Sequence, residues 1–188
     1  MKKIAIVLIL LMCAVSFSTK AQDDKPKKNG IRFGYHAATM VHEGSKPDSA
    51  NALSSFYVGF FRSKKVGGIL HFDSGIEYFQ NGLKYSGNSK RTLHTVSIPL
   101  DLKLKIGPVY ALGGAAANIK VSEKYDLGDN SYQPLDNDKS NWFDVAAFAG
   151  AGVKIWILSV EARYHWGLLE ARDDLYNRYF QIGAAVSF

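Results

Sequence analysis

Cysteine is nearly absent from this chain. Cys13 is the only one in 188 residues, and it lies within the N-terminal apolar run Ile4 to Val15. Lys2 and Lys3 precede that run and the small-residue site Thr19-Lys20-Ala21 follows it, which is the pattern of a secretory signal peptide cut after Ala21. Residues 1–21 are therefore expected to leave, and Cys13 with them. That excludes thiol and disulfide chemistry in the mature chain and suits an oxidising periplasm. Met12 stands where a lipoprotein signal would carry a small residue, so lipidation is not expected. A second absence is any later run of about 20 apolar residues, so no helical anchor is expected after processing. Surplus positive charge is also thin. The formal +6 falls to +3 once Lys2, Lys3 and Lys20 are removed, with both signs interspersed, and this leaves no footprint for nucleic acid.

What the chain does have is period two. After a polar leader, Gln22 to Gly30, eight runs alternate apolar with polar or small residues: 31–41, 52–62, 68–80, 93–106, 109–119, 143–154, 157–167 and 178–188. Successive side chains of a strand point to opposite faces, so each run presents one face of each kind. In the fourth, Val96, Ile98, Leu100, Leu102, Leu104 and Ile106 oppose Ser97, Pro99, Asp101, Lys103 and Lys105. In the seventh, Leu158, Val160, Ala162, Tyr164 and Trp166 oppose Ser159, Glu161, Arg163 and His165. The third sets Leu70, Phe72, Ile76 and Tyr78 against His71, Asp73, Gly75 and Glu77.

A single strand of this kind also fits a soluble sandwich, but the connections argue against one. Long polar segments at 42–51, 81–92, 120–142 and 168–177 alternate with short ones at 63–67, 107–108 and 155–156. Strict long-short alternation is expected of an all-β, eight-stranded antiparallel up-and-down barrel in the outer membrane, with both termini periplasmic. The domain reading is a signal peptide at 1–21, a periplasmic leader at 22–30 and a barrel at 31–188. Soluble barrels such as lipocalins share the meander, but their apolar residues point inward around a ligand. Here the charged residues would point inward.

An eight-stranded barrel is just wide enough to be filled by side chains, so ionisable groups inside must pair or keep water. A lumen network is expected from Arg32, His36, His71, Asp73, Glu77, Asp101, Lys103, Lys105, Glu161, Arg163 and His165, with Gly150 and Gly152 leaving room. A polar plug is the favoured reading, with a small pore as the alternative. Tyr57, Tyr78, Tyr110, Trp142, Trp156, Trp166 and Tyr179 fall near predicted strand ends, where rings sit at the headgroup level. Pro99 removes a ladder donor and predicts a bulge.

Catalysis has few candidates: His94 with Ser97 or Thr95, and His165 with Glu161. No GxSxG elbow occurs, and no enzyme activity is expected. Asp126, Asp129, Asp136 and Asp138 lack the ligand spacing of a calcium loop, and Gly113-Gly114 and Gly150-Ala151-Gly152 open no helix, so neither metal nor nucleotide cofactor is expected. Any recognition falls to the loops, above all 120–141, as the site for a surface ligand or envelope protein partner. Outer-membrane lipids would surround the wall.

Tyr78-Phe79-Gln80-Asn81-Gly82, Ser97-Ile98-Pro99-Leu100-Asp101-Leu102-Lys103, Ala149-Gly150-Ala151-Gly152-Val153 and Glu161-Ala162-Arg163-Tyr164-His165-Trp166-Gly167-Leu168 resemble the outer-membrane β-barrel family common in Bacteroidota, which includes PorT-like proteins. The resemblance covers essentially the whole mature chain and implies an eight-stranded barrel of the OmpA/OmpX-like kind. PorT-like members are linked to protein secretion, but these motifs specify no substrate. The same resemblance makes the terminal Phe188 a candidate assembly signal for the barrel-insertion machinery.

Overall fold

In the computed structural model, the residues described are 27–42, 50–85, 89–127, 130–132, 141–172 and 175–188. The expected signal peptide lies outside them, as do Asp129, Asp136 and Asp138. Among the described residues nine strands form in chain order: β1 (Lys27–His42), β2 (Ala50–Gly67), β3 (Leu70–Tyr85), β4 (Ser89–Ile106), β5 (Val109–Leu127), β6 (Asn130–Tyr132), β7 (Phe143–Ile155), β8 (Leu158–Arg172) and β9 (Leu175–Ser187). Each long strand pairs antiparallel with its neighbours, β4 pairs β5, and β1 pairs β9. Eight staves thereby close into a barrel, and β6 only folds back on the end of β5.

The wall has the polarity of a membrane barrel. Phe33, Phe56, Phe60, Ile76, Leu102, Val160 and Ile182 all lie exposed on the outside, while Arg32, Asp73, Glu77, Asp101, Glu161 and Arg163 are buried. Hydrophobic burial thus comes from lipid contact around the wall, and the protein interior is largely polar. The inward set of β9 contains Gln181, Gly183, Ala185 and Ser187, small enough at three positions to leave space for large residues opposite.

Three tight turns join the staves at one end, at Gly68-Ile69, Gly107-Pro108 and Trp156-Ile157. Gly68, Gly107 and Trp156 each have φ near +50 to +60°, as the first residue of a two-residue hairpin turn often requires. Lys27 and Phe188 lie at this same end, the short-turn end; the strand ends flanking the other connections lie at the opposite, loop end, where β8 runs to Arg172 and β9 starts at Leu175, so little of the expected long connection 168–177 is left.

The strands are longer than expected. Those of 16 to 19 residues exceed the roughly 9–11 that cross a bilayer, and most of the excess lies at the loop end. Segment 81–92 is mostly strand, with Asn81, Arg91 and Thr92 buried, and β5 runs on to Leu127. Polar residues there looked like loop, yet ladder pairing with the neighbouring strands carries β3 and β4 beyond the length a bilayer needs. β1 likewise starts at Lys27, within the segment expected to be leader. The first short connection falls at Gly68-Ile69 rather than 63–67.

Pro99 makes no bulge. Pairing of β4 with β3 lapses opposite Gly75 and Ile76 but resumes in the same register, and Pro99 still faces Ala116 of β5. The missing donor is absorbed by a gap in one ladder. The shift in β4 falls instead between His94 and Thr95.

Candidate functional site in the barrel lumen

Alternation delivers the charged residues inward, and strand tilt decides which of them meet. Glu77 on β3 receives a bidentate pair from Arg163 on β8, Nη1 to Oε1 at 2.9 Å and Nη2 to Oε2 at 3.2 Å. Arg32 on β1 donates from Nη1 to the same Oε1 at 3.1 Å. One carboxylate thus holds two guanidiniums, and fork-to-fork geometry of this kind is the strongest ion pairing available to a side chain. Glu161 holds a second node: Lys103 Nζ lies 3.2 Å from its Oε2, the Tyr110 hydroxyl donates to that oxygen at 2.8 Å, and Arg32 and Arg163 approach Oε1 at 3.6 and 3.4 Å. Asp73 completes the cluster with Lys103 at 2.9 Å.

Rings insulate these charges. The Arg32 guanidinium sits 4.4 Å from the Phe61 centroid, Arg163 5.3 Å from Tyr57, and Lys103 5.0 Å from Tyr110. Each such contact offsets part of the cost of taking a cation out of water. Toward the loop end a second layer is a column of rings. Phe148 stacks on His165 at 4.6 Å, His165 on Tyr179 at 4.1 Å, and His36 packs between Tyr179 and Phe79 at 5.0 and 4.6 Å. His36 Nε2 hydrogen-bonds Asn81 Oδ1 at 2.9 Å. A third layer is amide-rich: Asn118 donates to the Tyr179 hydroxyl, Asn177 donates to Asp144, and Glu123 accepts from Arg91 and Lys120.

The expected lumen residues therefore divide by position. Arg32, Asp73, Glu77, Lys103, Glu161 and Arg163 form the ion cluster, and Asp101 stands beside it, opposite Asp73 across the β3–β4 ladder. His36 and His165 belong to the ring layer. His71 and Lys105 are not in the cluster; both are half-exposed at the short-turn mouth. Gly150 and Gly152 stand opposite Arg163 and Glu161, and a Cβ on Gly152 would come within 2.5 Å of the Tyr110 ring.

The residues 21–171 match the family model for the outer membrane protein β-barrel domain. The chain belongs to that family. Solved outer-membrane barrels share the architecture: Ail of Yersinia pestis, in complex with the heparin analogue sucrose octasulfate, is 16% identical with a TM-score of 0.53 over 86% of this chain and 99% of its own. Neisserial surface protein A is 13% identical with a TM-score of 0.55 over 85% and 97%. No curated protein matches the sequence. The protein is thus an outer-membrane β-barrel.

Within this outer-membrane barrel three expected ring anchors are misplaced. Tyr57, Tyr110 and Tyr179 are buried in the lumen, whereas Trp142 and Trp156 are exposed, and Tyr78 and Trp166 lie on the outer face. Parity along the strand held the signal: Tyr179 is two residues from the inward Gln181, and Tyr57 is four from the inward Phe61. The candidate catalytic sets do not assemble either. His94 faces outward, where its Nδ1 lies 2.6 Å from the Tyr78 hydroxyl, while Thr95 and Ser97 are buried on the lumen side. His165 is stacked between rings, away from the ion pairs of Glu161. Among the described residues no group of three potential metal ligands forms.

Proposed function

We propose that this protein is a non-conducting, non-catalytic barrel that displays a binding rim at its loop end, with the short-turn end and both termini in the periplasm. The observation that carries the reading is the packed lumen: ion-pair, ring and amide layers lie between a small recess at each mouth. A barrel that transports nothing acts through what it holds outside the membrane. The overlong strands support this, because they build a rigid collar above the bilayer on which a loop can be presented. Of the expected recognition segment 120–141, residues 120–127 belong to β5 and 128–129 and 133–140 lie outside the described residues; the stretch between β5 and β7 is the favoured contact for a surface ligand or envelope protein. Ail, a barrel of this shape, has been solved in complex with the heparin analogue sucrose octasulfate, which supports a ligand-binding role for such a barrel. The Bacteroidota-type resemblance, PorT-like members included, belongs to the same reading, as does recognition of Phe188 by the insertion machinery.

The test is capture from detergent-solubilised envelope with the intact chain and with residues 128–140 replaced by a short Gly-Ser turn. Both forms are expected to fold and to keep heat-modifiable migration, because the wall does not depend on that segment. A partner held by the intact chain should be lost from the shortened one. Equal capture by both forms would refute the assignment to this loop.

A further inference from the structure

The short-turn mouth carries charge that the lumen cluster does not use. A recess of about 140 Å³ opens there, and every one of the eight staves contributes to its lining, so it lies on the barrel axis. Lys28 of β1, Lys65 of β2, Lys105 of β4 and Lys154 of β7 surround it. Its floor is closed by the pair of Asp73 with Lys103. Among the described residues none of the four rim lysines has a carboxylate within 4 Å, in contrast to Lys103, which has two. Lys154 Nζ donates to Ser187 Oγ at 2.7 Å, which fixes that ammonium toward the recess and leaves the serine hydroxyl proton to donate elsewhere. Lys105 and Lys154 feel the negative charge of Asp73 at the floor as well as the positive charge of Lys28 and Lys103.

Like charges gathered from four separate strands around one opening repel, and the carboxylate in the lining, Asp73, is engaged by Lys103. An anion in the recess removes the repulsion. The donors are ammonium point charges spread around a ring, joined by one hydroxyl. That arrangement matches a tetrahedral group with oxygens in several directions better than a planar carboxylate, which suits an arginine fork. The volume admits one such group.

We propose that the short-turn mouth is a binding site for a phosphate-type dianion, held by Lys28, Lys65, Lys105 and Lys154 with the Ser187 hydroxyl as a further donor. The phosphate is either a free periplasmic anion or a lipid headgroup. The site is at the opposite mouth from the proposed binding loop, so either proposal can fail without the other.

The test uses the full folded chain in a non-ionic detergent free of phospholipid, titrated calorimetrically with inorganic phosphate at low ionic strength. Saturable one-site binding that weakens with salt is expected. Exposed charge pairs contribute modestly, so the Lys105→Gln/Lys154→Gln double variant should bind about tenfold more weakly. Lys28→Gln/Lys65→Gln should do the same, and Lys124→Gln at the loop end should change nothing. Heat-modifiable migration checks that each variant is folded. Short-chain phosphatidic acid forms the second arm: displacement of phosphate at lower concentration than phosphate itself assigns a headgroup, and weaker displacement assigns a free anion. Absence of saturable phosphate binding, or an unchanged affinity in both double variants, would overturn the proposal.

Discussion

Replacing Glu77 by alanine is expected to destabilise the folded barrel by about 3–5 kcal/mol, the cost of leaving buried charge without its partner. Glu77 is the residue that both Arg32 and Arg163 engage at hydrogen-bonding distance, and all three are buried. Without it the two guanidiniums are left with Glu161, which Lys103 and Tyr110 already engage, and Arg32 with a distant Asp73 at 3.9 Å. Both arginines are buried, beneath the ring layer on one side and behind the Asp73–Lys103 pair on the other. The contrast is Asp101→Asn. Asp101 faces Asp73 across the ladder and, among the described residues, has no cation within 4 Å; the three cations of the cluster are already matched by Asp73, Glu77 and Glu161, and Asp101 is a fourth carboxylate beside them. Removing the charge of Asp101 relieves like-charge repulsion, so Asp101→Asn should leave stability unchanged or raise it. Urea unfolding in lipid vesicles, followed by tryptophan fluorescence, separates the two. Equal losses from both substitutions would show that the cluster is not held by the specific pairing described.

The second large effect falls at the seam where the first and last staves meet. Gly34 of β1 and Gly183 of β9 stand directly opposite each other. A Cβ on Gly34 would lie 2.2 Å from the Ile182 carbonyl oxygen and 2.4 Å from Gly183 Cα, and one on Gly183 would lie 2.2 Å from the Phe33 carbonyl oxygen. These obstacles are backbone and cannot rotate away, so a side chain must push the strands apart. Overpacking of this kind costs about 1–3 kcal/mol where side chains can yield, and more where they cannot. No turn joins β1 to β9, so their pairing depends on the ladder alone. Gly34→Val and Gly183→Val are each expected to abolish the heat-modifiable form. Gly113→Ala is the control, because its Cβ would meet nothing nearer than 3.6 Å. Normal migration of either valine variant would contradict the close approach.

The eight staves were legible because β4 and β8 hold strict alternation over six or more residues, and a one-residue slip would turn every charge to lipid. Their ends were less so: Asn81 to Thr92 has the composition of a loop, and only closure of the wall above the membrane makes 81–85 and 89–92 strand. The inward parity of Glu77, Glu161 and Arg163 could likewise be read from sequence. Their pairing could not, since β3 and β8 are not neighbours and meet only through the barrel's tilt and width. Tyr57, Tyr110 and Tyr179 were misread for a related reason. A tyrosine near a strand end fits either a headgroup or a polar lumen, and only its parity relative to a charged neighbour decides. Pro99 predicted a bulge from the missing donor, but an unpaired stretch against β3 met the same need without a change of register.

Single-channel recording of the purified chain in planar bilayers tests the central claim most directly. The ion cluster beneath the Phe148-His165-Tyr179-His36-Phe79 column predicts insertion without regular conductance steps in any salt that leaves the barrel folded. Reproducible openings whose amplitude changes on substitution of Arg163 would contradict it and establish a conducting lumen.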